Sequence, residues 1–150
     1  MREMISLVVA GQPMGKQRAR TRTVNTLAGK SFVMSYTPKK TLNYETYIKE
    51  LFIIKYPRFK PLEGALSVDL KAYLDIPKSK SKKQKELMRQ HKIMPTTRPD
   101  VDNIFKTFLD ALQGGVAFKN DSQVVAVRSA KFYSETPRVE IVISEINLDK

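Results

Sequence analysis

The chain has no cysteine, which excludes disulfides, thiolate zinc sites and a catalytic thiol. Its single histidine, His91, excludes a multi-histidine metal site within one chain. No apolar run approaches the roughly 20 residues needed to span a bilayer. The N-terminus, Met1–Arg2–Glu3–Met4, passes directly into a strand-like pattern, and the basic cluster follows the apolar stretch instead of preceding it, so no secretory leader is expected. The lack of cysteine fits a reducing, cytoplasmic setting. Acidic residues are scarce: 15 Asp and Glu stand against 27 Lys and Arg, a net charge of +12 on 150 residues. That balance predicts a polyanionic partner or an acidic surface, and the length suggests one domain over residues 1–150.

Several elements are legible. Ile5, Leu7 and Val9 alternate as an opening strand, which Gly11–Gln12–Pro13–Met14–Gly15 breaks. Lys16, Arg18, Arg20 and Arg22 follow in what reads as a loop able to track a phosphate backbone. Segment 31–36 reads as a short strand pairing back on the first. Thr37–Pro38 is a helix start. Tyr44, Tyr47, Ile48, Leu51 and Ile54 then recur at helical spacing until Pro57, so both tyrosines are expected in the core. Leu66, Val68, Leu70, Ala72 and Leu74 alternate with polar residues, the clearest strand pattern in the chain.

Residues 76–98 interrupt this regularity. Between Lys78 and Lys92 lie seven Lys and Arg and one Glu. The segment reads as a solvated lobe or mobile loop, helical in part from about Ser81 to His91, with His91 exposed and with Lys82 and Lys83 offered to phosphates. A second helix is predicted from about Val101 to Gln113. Its buried stripe is Val101, Ile104, Phe105, Phe108, Leu109 and Leu112, with Asp102, Lys106 and Asp110 on the opposite side. Gly114–Gly115 ends it. A strand begins with Val125 and Val127, or with Val124 and Ala126, and extends to about Phe132. A last strand carries Val139, Ile141 and Ile143 on one face. The order β, short β, α, β, basic insert, α, β, β predicts an α+β fold, a mixed or antiparallel sheet packed by two main helices.

The chemistry concentrates in Arg98–Pro99–Asp100–Val101–Asp102–Asn103–Ile104–Phe105–Lys106 and in Asp121 beyond it. Successive helical residues turn about 100°, so Asp100 and Asp102 converge only if Asp100 occupies the non-helical cap position. Oxygen ligands of this kind suit Mg²⁺ or Mn²⁺. Lys106, one turn past Asp102, could hold the scissile phosphate, and Arg98 lies beside the site. Each residue also has a plainer reading. Asp100 and Asp102 could serve only the helix start; Asp121 could be a turn residue; Lys106 could be solvated; Asp110 could be helix surface or a partner for Lys106.

Pro99–Asp100–x–Asp102–Asn103–x–x–Lys106, followed by Asp110–Ala111–Leu112 and Asp121–Ser122–Gln123–Val124, resembles the signature of the RusA family of Holliday-junction resolvases. Gly11–Gln12–Pro13 with Lys16 and Arg18, and Tyr36–Thr37–Pro38, are similar to longer members. The resemblance implies a small homodimeric endonuclease, often phage-encoded, that cuts four-way DNA junctions in recombination and repair with Mg²⁺ or Mn²⁺. It implies metal binding by Asp100, Asp102 and Asp121 and a functional role for Lys106. Many members carry two consecutive aspartates where this chain has Asn120–Asp121; asparagine offers a carbonyl oxygen but no charge. Two other functions fit parts of the pattern. A nuclease of the same chemistry could act on flaps or forks, and a non-catalytic nucleic-acid-binding module would explain the charge but not the clustered aspartates.

Overall fold

The five alternating apolar residues of the clearest strand pattern form the spine of the molecule. In the computed structural model, which describes residues 3–16, 20–36 and 39–146 and omits the side chains of Arg20 and Tyr36, they belong to the interior strand β4 (Leu66–Asp75). Leu66, Val68, Leu70, Ala72 and Leu74 are all buried. The other strands of this sheet are β1 (Met4–Ala10), β5 (Val124–Ser134) and β6 (Arg138–Glu145), in the order β1-β6-β4-β5. β6 runs antiparallel to both β1 and β4, whereas β4 and β5 are parallel. The sheet is therefore mixed, and the fold is α+β as the sequence predicts.

One face of this sheet is apolar because the inward residues of each strand are apolar. Ile5, Leu7 and Val9 of β1 and Val139, Ile141 and Ile143 of β6 complete the floor. Two helices, α1 (Lys39–Lys55) and α3 (Val101–Leu112), supply the opposing side chains. α1 buries Thr41, Tyr44, Ile48 and Phe52, spaced at three and four residues. The Tyr44 ring meets Phe108 of α3 edge-on, with centroids 5.9 Å apart, and burial pushes the Tyr44 phenol up to about 12. Tyr47 and Ile54 lie off this stripe and are exposed, so the expectation that both tyrosines are core holds for Tyr44 alone. The helix start at Thr37–Pro38 lies outside the described residues.

The segment 31–36 does not pair back on β1. It forms β3 (Ser31–Tyr36), an antiparallel partner of β2 (Arg20–Asn25), in a separate two-stranded sheet. β2 falls where a loop was expected. Thr21, Thr23 and Asn25 alternate with Arg20, Arg22 and Val24, so neither face shows the apolar stripe that marks a strand.

The basic insert is also more structured than its composition suggests. α2 (Lys82–Arg89) starts at Ser81, whose hydroxyl accepts from Gln84 N at 3.2 Å while the Gln84 side chain accepts from Ser81 N. Arg89 pairs with Glu135 at 2.6 Å, and Met88 enters the core. His91 is exposed as expected, yet its ring lies 4.7 Å from that of Phe132. Of its meagre apolar face, Leu87 and Met88, only Met88 is fully buried, and with the Arg89–Glu135 pair it seats the helix.

Candidate active site on α3

α3 is amphipathic, and that fixes which side chains face solvent. Ile104, Phe108, Leu109 and Leu112 are buried, with Thr107 and Ala111 beside them. Asp102 and Lys106 therefore project outward one turn apart. Asp100 is the N-cap, with extended backbone at φ −70° and ψ 145°. It occupies the non-helical position that convergence with Asp102 requires. Its carboxylate makes no capping hydrogen bond, so its oxygens are not consumed by the helix end. Asp102 Oδ1 accepts from Asn103 N at 3.0 Å. Lys106 is exposed and enters none of the ion pairs among the described residues.

Three contacts hold the start of α3. The Arg98–Pro99 peptide bond is cis. Lys131 reaches across from β5, and its ammonium donates to Thr97 O at 2.8 Å and Pro99 O at 3.0 Å. The loop after β1 approaches from the other side: Lys16 N donates to Asn103 O at 3.2 Å. Gly15 permits that approach, because a Cβ there would stand 3.0 Å from Pro99 Cβ and 3.2 Å from Asn103 Cβ.

Asp121 opens a 3-10 turn, Asp121–Gln123, held by two glutamines. Gln113, at the C-cap of α3, accepts from Asp121 N at 3.2 Å and donates to Asp110 at 3.4 Å. Gln123 accepts from Lys119 N and Asn120 N and donates to Leu62 O and Gly64 O, which uses both ends of its amide. Asn120 caps the same turn: its side chain accepts from Ser122 N at 2.9 Å. The residue standing in for an aspartate thus has a local structural role.

The three carboxylates are not equally close. Asp100 and Asp102 lie at the start of α3, whereas Asp121 is anchored to Gln113 at its end. The helix rises about 1.5 Å per residue. Among the described residues no group of three or more His, Cys, Asp or Glu is gathered in the manner of a metal site. The donor chemistry does fit a hard divalent ion. Asp100 and Asp102 are exposed all-oxygen donors with room for water and phosphate, and such ions are often held by one or two carboxylates.

Asp110 pairs with Lys16 and not with Lys106. Lys16 also meets Glu45 of α1 at 3.3 Å. Partial burial pushes its ammonium down, but the Asp110 hydrogen bond and the charges of Glu45 and Asp110 outweigh this and hold it above the ordinary 10.5. The ammonium expected to face DNA is thus engaged inside the protein, tying the loop to both helices. Of the other cations singled out in the sequence, Arg22, Lys82, Lys83 and Arg98 are exposed. Arg20 lies on β2, and Arg18 falls outside the described residues. Sequence reasoning missed Lys131, Gln113 and Gln123. The first looks like a solvent-facing lysine on a strand. Gln123 stands in the Asp121–Ser122–Gln123–Val124 motif but its role in holding the turn was not read, and Gln113 carries no signal until that turn is known.

The chain matches the family model described as Endodeoxyribonuclease RusA over residues 10–144. It is 38% identical over 147 residues to the uncharacterized protein YqaN of Bacillus subtilis (strain 168), covering 97% of this chain and 99% of that one. It is 38% identical over 64 residues to the crossover junction endodeoxyribonuclease rusA of Lactococcus phage r1t, covering 43% of this chain and 47% of the phage protein.

Proposed function

Since the chain belongs to the RusA endodeoxyribonuclease family, we propose that it is a metal-dependent nuclease that resolves four-way DNA junctions by paired, symmetric nicks. The observation that carries this reading is the exposed row on α3, where Asp102 and Lys106 stand one turn apart behind an uncommitted Asp100 carboxylate. Asp100 and Asp102 would hold Mg²⁺ or Mn²⁺; the family resemblance adds Asp121 as a third carboxylate, although the described fold anchors it to Gln113 at the other end of α3. When bound, such an ion supplies Lewis-acid stabilisation and an activated water. Lys106 orients the scissile phosphate and offsets charge that develops on its oxygens. Exposed Arg22 and Arg98 hold the flanking backbone, with Lys82 and Lys83 as a second cationic surface. Lys131 and Gln113 position the carboxylates and do not touch the substrate. Two nicks related by symmetry call for two equivalent sites, which a two-fold homodimer supplies. Among the described residues no helix is long and apolar enough to cross a membrane, and a cytoplasmic recombination or repair role suits a substrate of this kind.

The test is incubation of the purified protein with a synthetic mobile junction and a matched linear duplex, with and without Mg²⁺. Junction cutting that needs the metal is the expected result. Equal digestion of both substrates would favour a less selective nuclease, and binding without cutting under all metals would favour a non-catalytic module.

A further inference from the structure

We propose that the β2–β3 hairpin is a groove-reading arm, a two-stranded ribbon that enters the major groove of the DNA arm flanking the scissile phosphate. The inference rests on the reading of α3 as a DNA-cleaving site. Among the described residues no helix or strand of the main body packs extensively against the hairpin, and a lone two-stranded hairpin is marginally stable in water. It nevertheless exposes apolar side chains: Phe32 is 49% exposed, Val33 69% and Met34 44%, and Leu27 stands fully exposed at the turn. Apolar surface left open in this way marks an interaction site.

Charge selects the occupant. The ribbon, residues 20–36, contains three Lys and Arg (Arg20, Arg22 and Lys30) and no Asp or Glu. Two copies of such a segment would repel each other, whereas DNA is a dense polyanion. Size selects the groove. Six-residue strands span about 20 Å, and a two-stranded ribbon fits a groove about 12 Å wide but not one of about 6 Å. Pairing selects the face. Arg22 lies opposite Met34 and Val24 opposite Phe32, so these four share one face. Apolar groups of this kind meet thymine methyls in the major groove, and Arg22 beside them reaches the flanking phosphates. Position links the arm to the site. Lys16 is fixed to Asn103, and the four residues from there to Arg20 reach at most about 14 Å. The root of the ribbon thus lies within about 14 Å of the point where Lys16 meets the first turn of α3.

The experiment is dimethyl sulfate probing of guanine N7, a major-groove atom, in a junction held uncut by the Asp102→Asn protein. Guanines within one turn of the exchange point should be protected in the arm that flanks the cleavage position. Adding Phe32→Ser and Met34→Ser should abolish that protection and weaken junction binding by about tenfold or more, with an unchanged melting temperature showing that the body is folded. Absence of N7 protection, or protection that survives both changes, would overturn the proposal. So would a change of oligomeric state in the double variant with protection intact, which would make the ribbon a protein-binding surface. Metal-dependent cutting by the unaltered protein is scored separately, so failure of the nuclease reading is distinguishable from failure of the arm.

Discussion

The α3 segment and the β2–β3 ribbon are both charged and exposed, but they are built in opposite ways. α3 presents Asp102 and Lys106 from the back of a stripe whose residues Ile104 and Phe108 are fully buried, and its start is clasped by Lys131 and by Lys16 N. The ribbon carries its cations and exposed apolar side chains on strands that pack mainly on each other. The difference follows the demands of the two tasks. Chemistry at a phosphate needs groups held within about 0.5 Å, while docking into a DNA groove tolerates a device that adjusts to its partner. The protein spends its core on the first.

The largest effect expected from breaking this division is on cleavage. Changing Asp100, Asp102 or Asp121 singly to Asn should lower the cutting rate roughly 10³-fold or more. Junction binding should hold or tighten, because negative charge near phosphates has been removed. Single-turnover rates and gel-shift affinities check this, and a variant with wild-type cutting would remove that residue from the ligand set.

One substitution made in both regions sharpens the contrast. Phe108→Ala should cost about 3–5 kcal/mol of stability, whereas Phe32→Ala should change it by less than about 0.5 kcal/mol. Chemical denaturation reads both. A comparable loss at Phe32 would mean that the ribbon is part of the cooperative fold. At the third level, Lys106→Ala should lower the cutting rate by about 10²-fold with little change in affinity. Parallel losses in rate and affinity would make Lys106 an ordinary phosphate contact.

The smallest effect is expected where the two regions join. Lys16→Met should cost at most about 1 kcal/mol. Because the folded Lys16 ammonium titrates above 10.5, its contribution is fully present below that value and is lost as pH rises through the higher folded value. The stability gap between the two proteins should therefore stay constant from neutral pH to about 10 and close above it. The salt slope of DNA binding should be unchanged, whereas Arg22→Ala should flatten it by about 0.9 if that arginine meets one phosphate. A flattened slope for Lys16→Met would return that lysine to the DNA surface.

How much was legible in the sequence follows the same division. β4, β6 and α3 showed clear apolar periodicity because each buries one face; the stripes of β4 and β6 fall as expected, while that of α3 keeps Ile104, Phe108, Leu109 and Leu112, leaves Val101 and Phe105 half-buried and adds Thr107 and Ala111. Of the ribbon, β3 was readable as a strand over 31–36, but its partner β2 was missed because the ribbon buries no continuous face and β2 leaves no apolar alternation. The start of β5 was ambiguous for a physical reason: its register against β4 shifts between Leu66 and Ser67, so neither candidate alternation persists. α2 was underestimated because one methionine, Met88, does the anchoring. At the site, the residue types and the cap position of Asp100 were readable. The supports were not, since Lys131 and Gln123 act through backbone groups distant in sequence, and Gln113 acts through a turn that only the fold defines. The internal pairing of Lys16 was equally hidden, because its carboxylate partners lie on two helices far along the chain.

The most direct test of the division between a fixed chemical site and an appended grip measures affinity and single-turnover cutting on one immobile junction, for Asp102→Asn and for the Phe32→Ser, Met34→Ser protein side by side. The account predicts opposite losses: Asp102→Asn binds but does not cut, and the ribbon variant binds weakly yet cuts at nearly the normal rate once protein saturates the DNA. A ribbon variant that cannot cut even when fully bound, or an Asp102→Asn protein that cuts normally, would contradict it.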